Sequence, residues 1–292
     1  MNISKDKYPH FDYARKVISH HAKSFYFASQ MLPQIVRKNT YAIYAFCRYA
    51  DNIVDKDRNR SIPEIQEELN SLRNELKIAF KTGESEHPSV GAFVIVSRHY
   101  GIPLDHPLEL INGVEMDLTE SRYDDFDDLY LYCYRVASVV GLMMTYVLGY
   151  ESKEAFKYAE KLGIGMQLTN ILRDIQEDFE NGRIYLPKNE MEQYGIEEND
   201  IEQKNFSDKF KKFMIFQCER AGKYYDEAEP GIYLLHRDSR FAIFAASKIY
   251  RAILNKIEQK EYNPFTGRAF VPKTEKMTIL LNELLKRKIF RK

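Results

Sequence analysis

Three observations predict an all-α fold for this chain of 292 residues, organised as one domain over 1–292. Apolar residues recur at helical spacing between proline and glycine breakers. No stretch shows the sustained β-branched alternation of a strand. No repeat, low-complexity linker or composition shift marks a boundary. With 44% hydrophobic residues, including 18 Phe and 21 Tyr, the chain can bury a large core, and so aromatic a composition excludes disorder. The 43 Lys and Arg balance 43 Asp and Glu, so the basic excess of an electrostatic nucleic-acid binder is missing.

In chain order the pattern predicts helices over 12–20, 36–55, 63–80, 89–99, 108–120, 127–148, 153–180, 208–227, 237–259 and 273–288. Gly83, Gly101-Ile102-Pro103, Gly182, Pro230-Gly231 and Asn263-Pro264 supply the turns between them. The acidic run 124–128 precedes a helix, where carboxylates cap amides and complement the dipole. Cys47, Cys133 and Cys218 lie in apolar stretches without zinc spacing, which predicts buried, reduced thiols in a cytoplasmic protein. The first ten residues are polar and show no signal peptide. The uncharged run 136–150 is shorter than the roughly 20 residues of a membrane span, and reads instead as a helix buried on every side. The stretch 162–172 is also nearly uncharged before the same helix turns acidic. Two readings fit these helices: a large helical core, or an apolar cavity with a polar mouth.

Two carboxylate stripes carry the chemistry. In 41–55, Tyr44, Arg48, Asp51 and Asp55 fall within about 60° on one helix face. Their neighbours are apolar, so the stripe points inward, where two carboxylates at i,i+4 repel unless protonated, paired or bound to metal. An intrahelical Arg48–Asp51 pair with Asp55 at the surface fits the same spacing. In 167–183, Asn170, Asp174 and Asp178 recur every fourth residue with Glu177 alongside. Such a set of oxygen ligands suits a hard divalent cation; magnesium takes one or two carboxylates and shares substrate phosphates. A solvent-facing stripe is the other reading, opposed by Ile171, Leu172 and Ile175, which embed it in an apolar helix.

These motifs resemble the squalene/phytoene synthase family, which joins two prenyl diphosphates head to head. The resemblance runs through His21-Ala-Lys-Ser-Phe25, 44–55, Tyr132-Cys-Tyr-Arg-Val-Ala137 with Gly141, and 167–187 ending in Gly182-Arg-Ile-Tyr-Leu-Pro187. It returns at Tyr250 and in Tyr262-Asn-Pro-Phe-Thr-Gly-Arg268. It implies a class I terpenoid synthase bundle around a central apolar channel, with two aspartate-rich helices facing each other across the mouth. By matching position, Asp51, Asp55, Asn170, Asp174 and Asp178 hold Mg²⁺, with Mn²⁺ as a substitute. Lys23, Ser24, Arg48, Arg183, Tyr250 and Arg268 contact diphosphate, for which guanidinium and ammonium groups are suited. Phe25, Tyr44 and Tyr132 face the channel or the carbocation. Val136, Ala137, Val140, Gly141 and Gln167 line the channel, and Tyr185 joins the substrate-binding set.

The same resemblance implies head-to-head condensation through a cyclopropylcarbinyl diphosphate, with the tail 261–271 pointing to phytoene from two C20 diphosphates. Squalene or dehydrosqualene from C15 diphosphates is the alternative, with NADPH required only for squalene. A terpene cyclase, a prenyl diphosphate hydrolase and a non-catalytic assembly factor are more remote. Asn52 stands where many relatives carry a further Asp, and Ser138 where they carry Gly, which either narrows the channel or alters helix packing. Asp117 matches a polar family position near the channel or forms a surface salt bridge. His20-His21 lacks the context of a metal motif. The basic, apolar-studded 284–292 reads as a solvated helix end, with peripheral contact to anionic lipid as the other reading. The sequence leaves the oligomeric state open, a monomer being compatible with it.

Overall fold

The computed structural model describes residues 8–55 and 60–289; the side chains of Tyr8, Ser24 and 286–289 are not part of that description. α1 (Tyr8–His21) and α2 (Lys23–Ser29) lead into α3 (Gln34–Asp55), followed by α4 (Ile62–Thr82), α5 (Pro88–Tyr100) and α6 (Asp105–Thr119). α7 (Phe126–Cys133) runs through a π-helical turn (Tyr134–Ser138) into α8 (Val139–Leu148). The remainder is α9 (Ala155–Glu180), α10 (Lys188–Gln193), α11 (Glu198–Glu202), α12 (Asp208–Ala228), a 3-10 segment (Glu229–Leu234), α13 (Arg237–Gln259) and α14 (Lys273–Ile289). Among the described residues there are two isolated bridges and no strand, as the sequence predicts.

Local chemistry starts and stops these helices. The Glu64 carboxylate accepts from Ser61 N and Oγ, both at 2.8 Å, ahead of Pro63 in the first turn of α4, and Gly83 ends that helix at φ 87°. Asp125 caps α7 by accepting from Asp127 N and Asp128 N at 2.9 and 3.0 Å, so the acidic run is a cap. All three cysteines are buried and unbridged.

Two apolar clusters flank a central space. One joins α3, α5 and α8, with Phe46 stacked on Phe93 at 4.3 Å; the other joins α9, α12 and α13 around Phe210, Phe213 and Tyr225. α9 and α8 run antiparallel between them. A Cβ on Gly163 would fall 2.5 Å from Ser138 Cα, and one on Gly141 would fall 3.0 Å from the Ala159 carbonyl. Only glycine at 163 allows α9 to lie against the π turn. Ser138 is fully buried and donates to the Glu160 carbonyl at 2.8 Å. The unusual serine therefore belongs to helix packing and does not line the cavity.

Phe126–Leu148, 23 residues containing an 18-residue window of mean hydropathy 1.4, is long and apolar enough to cross a membrane by length and composition. It exceeds the uncharged run because Asp127, Asp128 and Arg135 fall in its first half. In this fold it packs as a core helix.

Candidate active site

Between the clusters lies a cavity of about 360 Å³, largely apolar, within the size range of small-molecule sites. Val136, Ala137, Val140 and Gly141 line it from the π turn and α8, and Gln167 and Asn170 from α9. Phe25, Tyr44, Asp51 and Tyr250 complete its polar end, with Phe25 stacked on Tyr44 at 6.4 Å. The apolar helices thus enclose a cavity as well as a core. His21 and Cys47 also line it, and the sequence reading did not assign either to the cavity wall.

α3 delivers the first stripe. Burial pushes the Asp51 carboxyl up to about 7, the Asp55 and Asp117 charges adding to it and Arg48 opposing. Arg48 and Asp51 form no salt bridge among the described residues, and the Arg48 Nε is buried without a partner. The intrahelical pair considered from spacing is therefore not made. Asp55, at the end of α3, is half exposed, with its carboxylate 3.8 Å from Arg183.

α9 delivers the second stripe. Asn170 donates to Gln167 at 3.3 Å. Asp174 is held by Arg173 at 2.8 Å and by Arg268 at 2.9 and 3.0 Å; Arg268 also reaches Glu177 at 3.3 Å. Burial pushes Asp178 up to about 7, helped by the Asp174 and Glu177 charges and opposed by Arg183. Asp117 raises both Asp51 and Asp178, so the two stripes share one electrostatic field.

Asp117 is the hub between them. It accepts from Tyr185 at 2.7 Å and from Tyr132 at 3.3 Å, and Arg183 donates to its main-chain carbonyl at 3.2 Å. Burial raises its carboxyl, against the pull of Arg183. Tyr132 and Tyr185 lie 3.3 Å apart, hydroxyl to hydroxyl, behind this carboxylate and outside the cavity lining. Tyr132 was expected to face the channel or the carbocation; it does not line the cavity, and its hydroxyl points to Asp117. Asp117 is no surface ion pair: its side chain is largely buried, 4.0 Å from Arg183, in keeping with the position the resemblance gave it. Lys23 is exposed at the start of α2; Ser24 follows it on that helix, described by backbone only.

The donor set suits a hard divalent cation. Two carboxyls with raised proton affinity mark negative charge the fold leaves uncompensated, which a bound cation would relieve. Among the described residues no three Asp, Glu, His or Cys side chains are gathered into a closed cage.

The squalene/phytoene synthase model matches residues 18–275. This chain belongs to the squalene/phytoene synthase family. Family members are prenyl transferases. The chain is 37% identical over 282 residues to 15-cis-phytoene synthase of Synechococcus elongatus, covering 92% of this chain and 91% of that one. It is 38% identical over 276 residues to the chloroplastic phytoene synthase 1 of Arabidopsis thaliana, covering 92% of this chain and spanning 65% of the relative's length. In structure it resembles a dehydrosqualene synthase crystallised with ligand, at TM-score 0.89 and 30% identity over 97% of this chain and 98% of that one. The fold is also that of the squalene synthase HpnC from Alicyclobacillus acidocaldarius, at TM-score 0.82 and 25% identity over 90% and 98%. For this family member, then, the all-α class read from periodicity and the terpenoid synthase fold implied by the resemblance both stand.

Proposed function

We propose that this enzyme condenses two C20 prenyl diphosphates head to head to phytoene. The observation that carries the reading is a pair of carboxylate stripes, on α3 and α9, at the polar end of a largely apolar cavity. The phytoene synthases that align along most of this chain support the C20 substrate.

Asp51 and Asp55 on one side, and Asn170, Asp174 and Asp178 on the other, would hold magnesium. When bound, the metal neutralises diphosphate oxygens and improves the leaving group. Arg183 and Arg268 lie against the two stripes, where a diphosphate can take over their guanidinium groups from Asp55 and Asp174. Arg48, with a buried unpaired Nε, and Lys23 add positive charge on the α2–α3 side. Pyrophosphate departs from one substrate, and the resulting cation alkylates the double bond of the other with loss of a proton. A second pyrophosphate departs as the cyclopropane opens, and a second proton is lost. The product needs no reductant. Phe25 and Tyr44 face the cationic centre with their rings, and the apolar wall excludes water that would quench it. Asp117 positions Arg183 and the Tyr132–Tyr185 pair behind the mouth.

Incubation with C15 or C20 diphosphate and Mg²⁺, with and without NADPH, tests the reading by mass spectrometry of the extracted hydrocarbon. Phytoene from C20 without NADPH is expected. A C30 product alone would transfer the assignment to dehydrosqualene or squalene synthesis, which the dehydrosqualene synthase likeness favours as second reading. No hydrocarbon from either substrate would refute both.

A further inference from the structure

Of the thirteen large apolar side chains left exposed among the described residues, five fall within 270–285: Phe270, Met277, Leu281, Leu284 and Leu285. The last four lie on α14 and, at about 100° per residue, share a face roughly 100° wide. They are 42–58% exposed, and Phe270, just ahead of the helix, is 69% exposed. So contiguous an apolar surface marks an interaction site, which scattered exposed side chains do not.

The opposite face of α14 fixes this one outward. Leu280 is buried, Ile279 packs against the cluster of α9, α12 and α13, and Glu275 pairs with Lys256 of α13 at 2.7 Å. Immediately upstream, Arg268 reaches Asp174 and Glu177 at the polar end of the cavity. Ala269 and Val271 are buried, and Phe270 between them faces out. The five residues from Arg268 to Lys273 span at most roughly 18 Å, so the apolar face starts beside the cavity mouth.

Charge selects the occupant. The run 273–292 carries seven Lys and Arg against two Glu, and five of the seven follow Leu285: Lys286, Arg287, Lys288, Arg291 and Lys292. An apolar stripe accompanied by basic residues suits a bilayer with anionic headgroups, whose acyl chains take the leucines while its phosphates meet the cations. A second copy of the chain fits worse. Paired α14 helices, in either direction, set basic residues against basic residues.

We propose that Phe270 and the Met277–Leu285 face of α14 dock the enzyme on an anionic lipid surface, with the cavity mouth beside it. This docking is independent of the reaction assigned above, and vesicle binding tests it without turnover. On that reaction, lipid-soluble substrate chains and the hydrocarbon product have a short path between bilayer and cavity.

The test sediments the full-length protein with vesicles of phosphatidylcholine alone or mixed equally with phosphatidylglycerol. The parent is expected to bind the mixed vesicles at least about tenfold more tightly, with the advantage lost at high salt. Leu281→Ser, Leu284→Ser and Leu285→Ser combined should weaken that binding at least about tenfold, because the apolar contact is gone. Lys286→Gln, Arg287→Gln and Lys288→Gln combined should weaken it about a hundredfold. Circular dichroism checks each fold, and the glutamine variant carries the test alone if the serine variant does not fold. A parent that stays in the supernatant with mixed vesicles, or folded variants that bind as the parent does, would overturn the proposal. So would a parent dimer in size-exclusion chromatography that the serine variant breaks, with no vesicle binding; that result assigns the face to a second copy.

Discussion

At Asp51 and Asp178 burial and the neighbouring carboxylates act together, each carboxyl being pushed up to about 7 from 3.8. A carboxyl that binds its proton more tightly when folded destabilises the fold as pH rises through the interval between those values. Asp51→Asn removes that contribution. In chelator, its thermal stability should therefore gain on the parent's as pH rises from about 4 to about 7, with the gain levelling off above; a gap that narrows over this window would contradict the assignment. Asp51→Ala and Asp174→Ala should each lower turnover at least about a hundredfold with helical circular dichroism unchanged, the scale lost with one preorganised electrostatic partner of a transition state. Full activity in either variant would remove its proposed metal role. Both stripes were legible in the sequence because a four-residue period needs no tertiary knowledge. The place of Tyr132 was not: its hydroxyl is claimed by Asp117, fifteen residues away, and nothing local announces that contact.

Among the elements, the long helices follow from apolar periodicity. α2, α10, α11 and the 3-10 segment escaped it because five to seven residues cannot display a helical period above the background of loops. The π turn escaped it for another reason: it sits where Gly163 of a different helix comes close, a contact that local pattern does not display. Leucine at 163 should destabilise the enzyme by about 1–3 kcal/mol through overpacking, read as a fall in the urea midpoint. Ser138→Gly should cost about 1 kcal/mol for the lost hydrogen bond to Glu160 while leaving product length unchanged. A changed product length would place residue 138 on the channel wall after all. The segment 263–271 reaches across to α9 through Arg268, whose side chain is more than half exposed. Arg268→Ala should accordingly leave thermal stability nearly unchanged while raising KM for the diphosphate. A large stability loss with unaltered KM would make it a structural clasp.

At the scale of the molecule, zero net charge averages over a sharply divided interior. Carboxylates and guanidinium groups meet at one end of a cavity whose remaining walls are apolar, so ionisation and hydrocarbon growth occupy adjoining regions of one bundle. The helical class, the buried thiols and the acidic cap were all readable before the structure, because each depends on local pattern. The cavity's depth was not, because it arises where α8, α9 and the 3-10 segment converge. Counting pyrophosphate against hydrocarbon, with C20 diphosphate and Mg²⁺ as the only additions, tests head-to-head condensation most directly. Two pyrophosphates released per molecule of C40 phytoene is the expected result. One pyrophosphate per C20 alcohol or cyclic C20 hydrocarbon, with no C40 product, would contradict it.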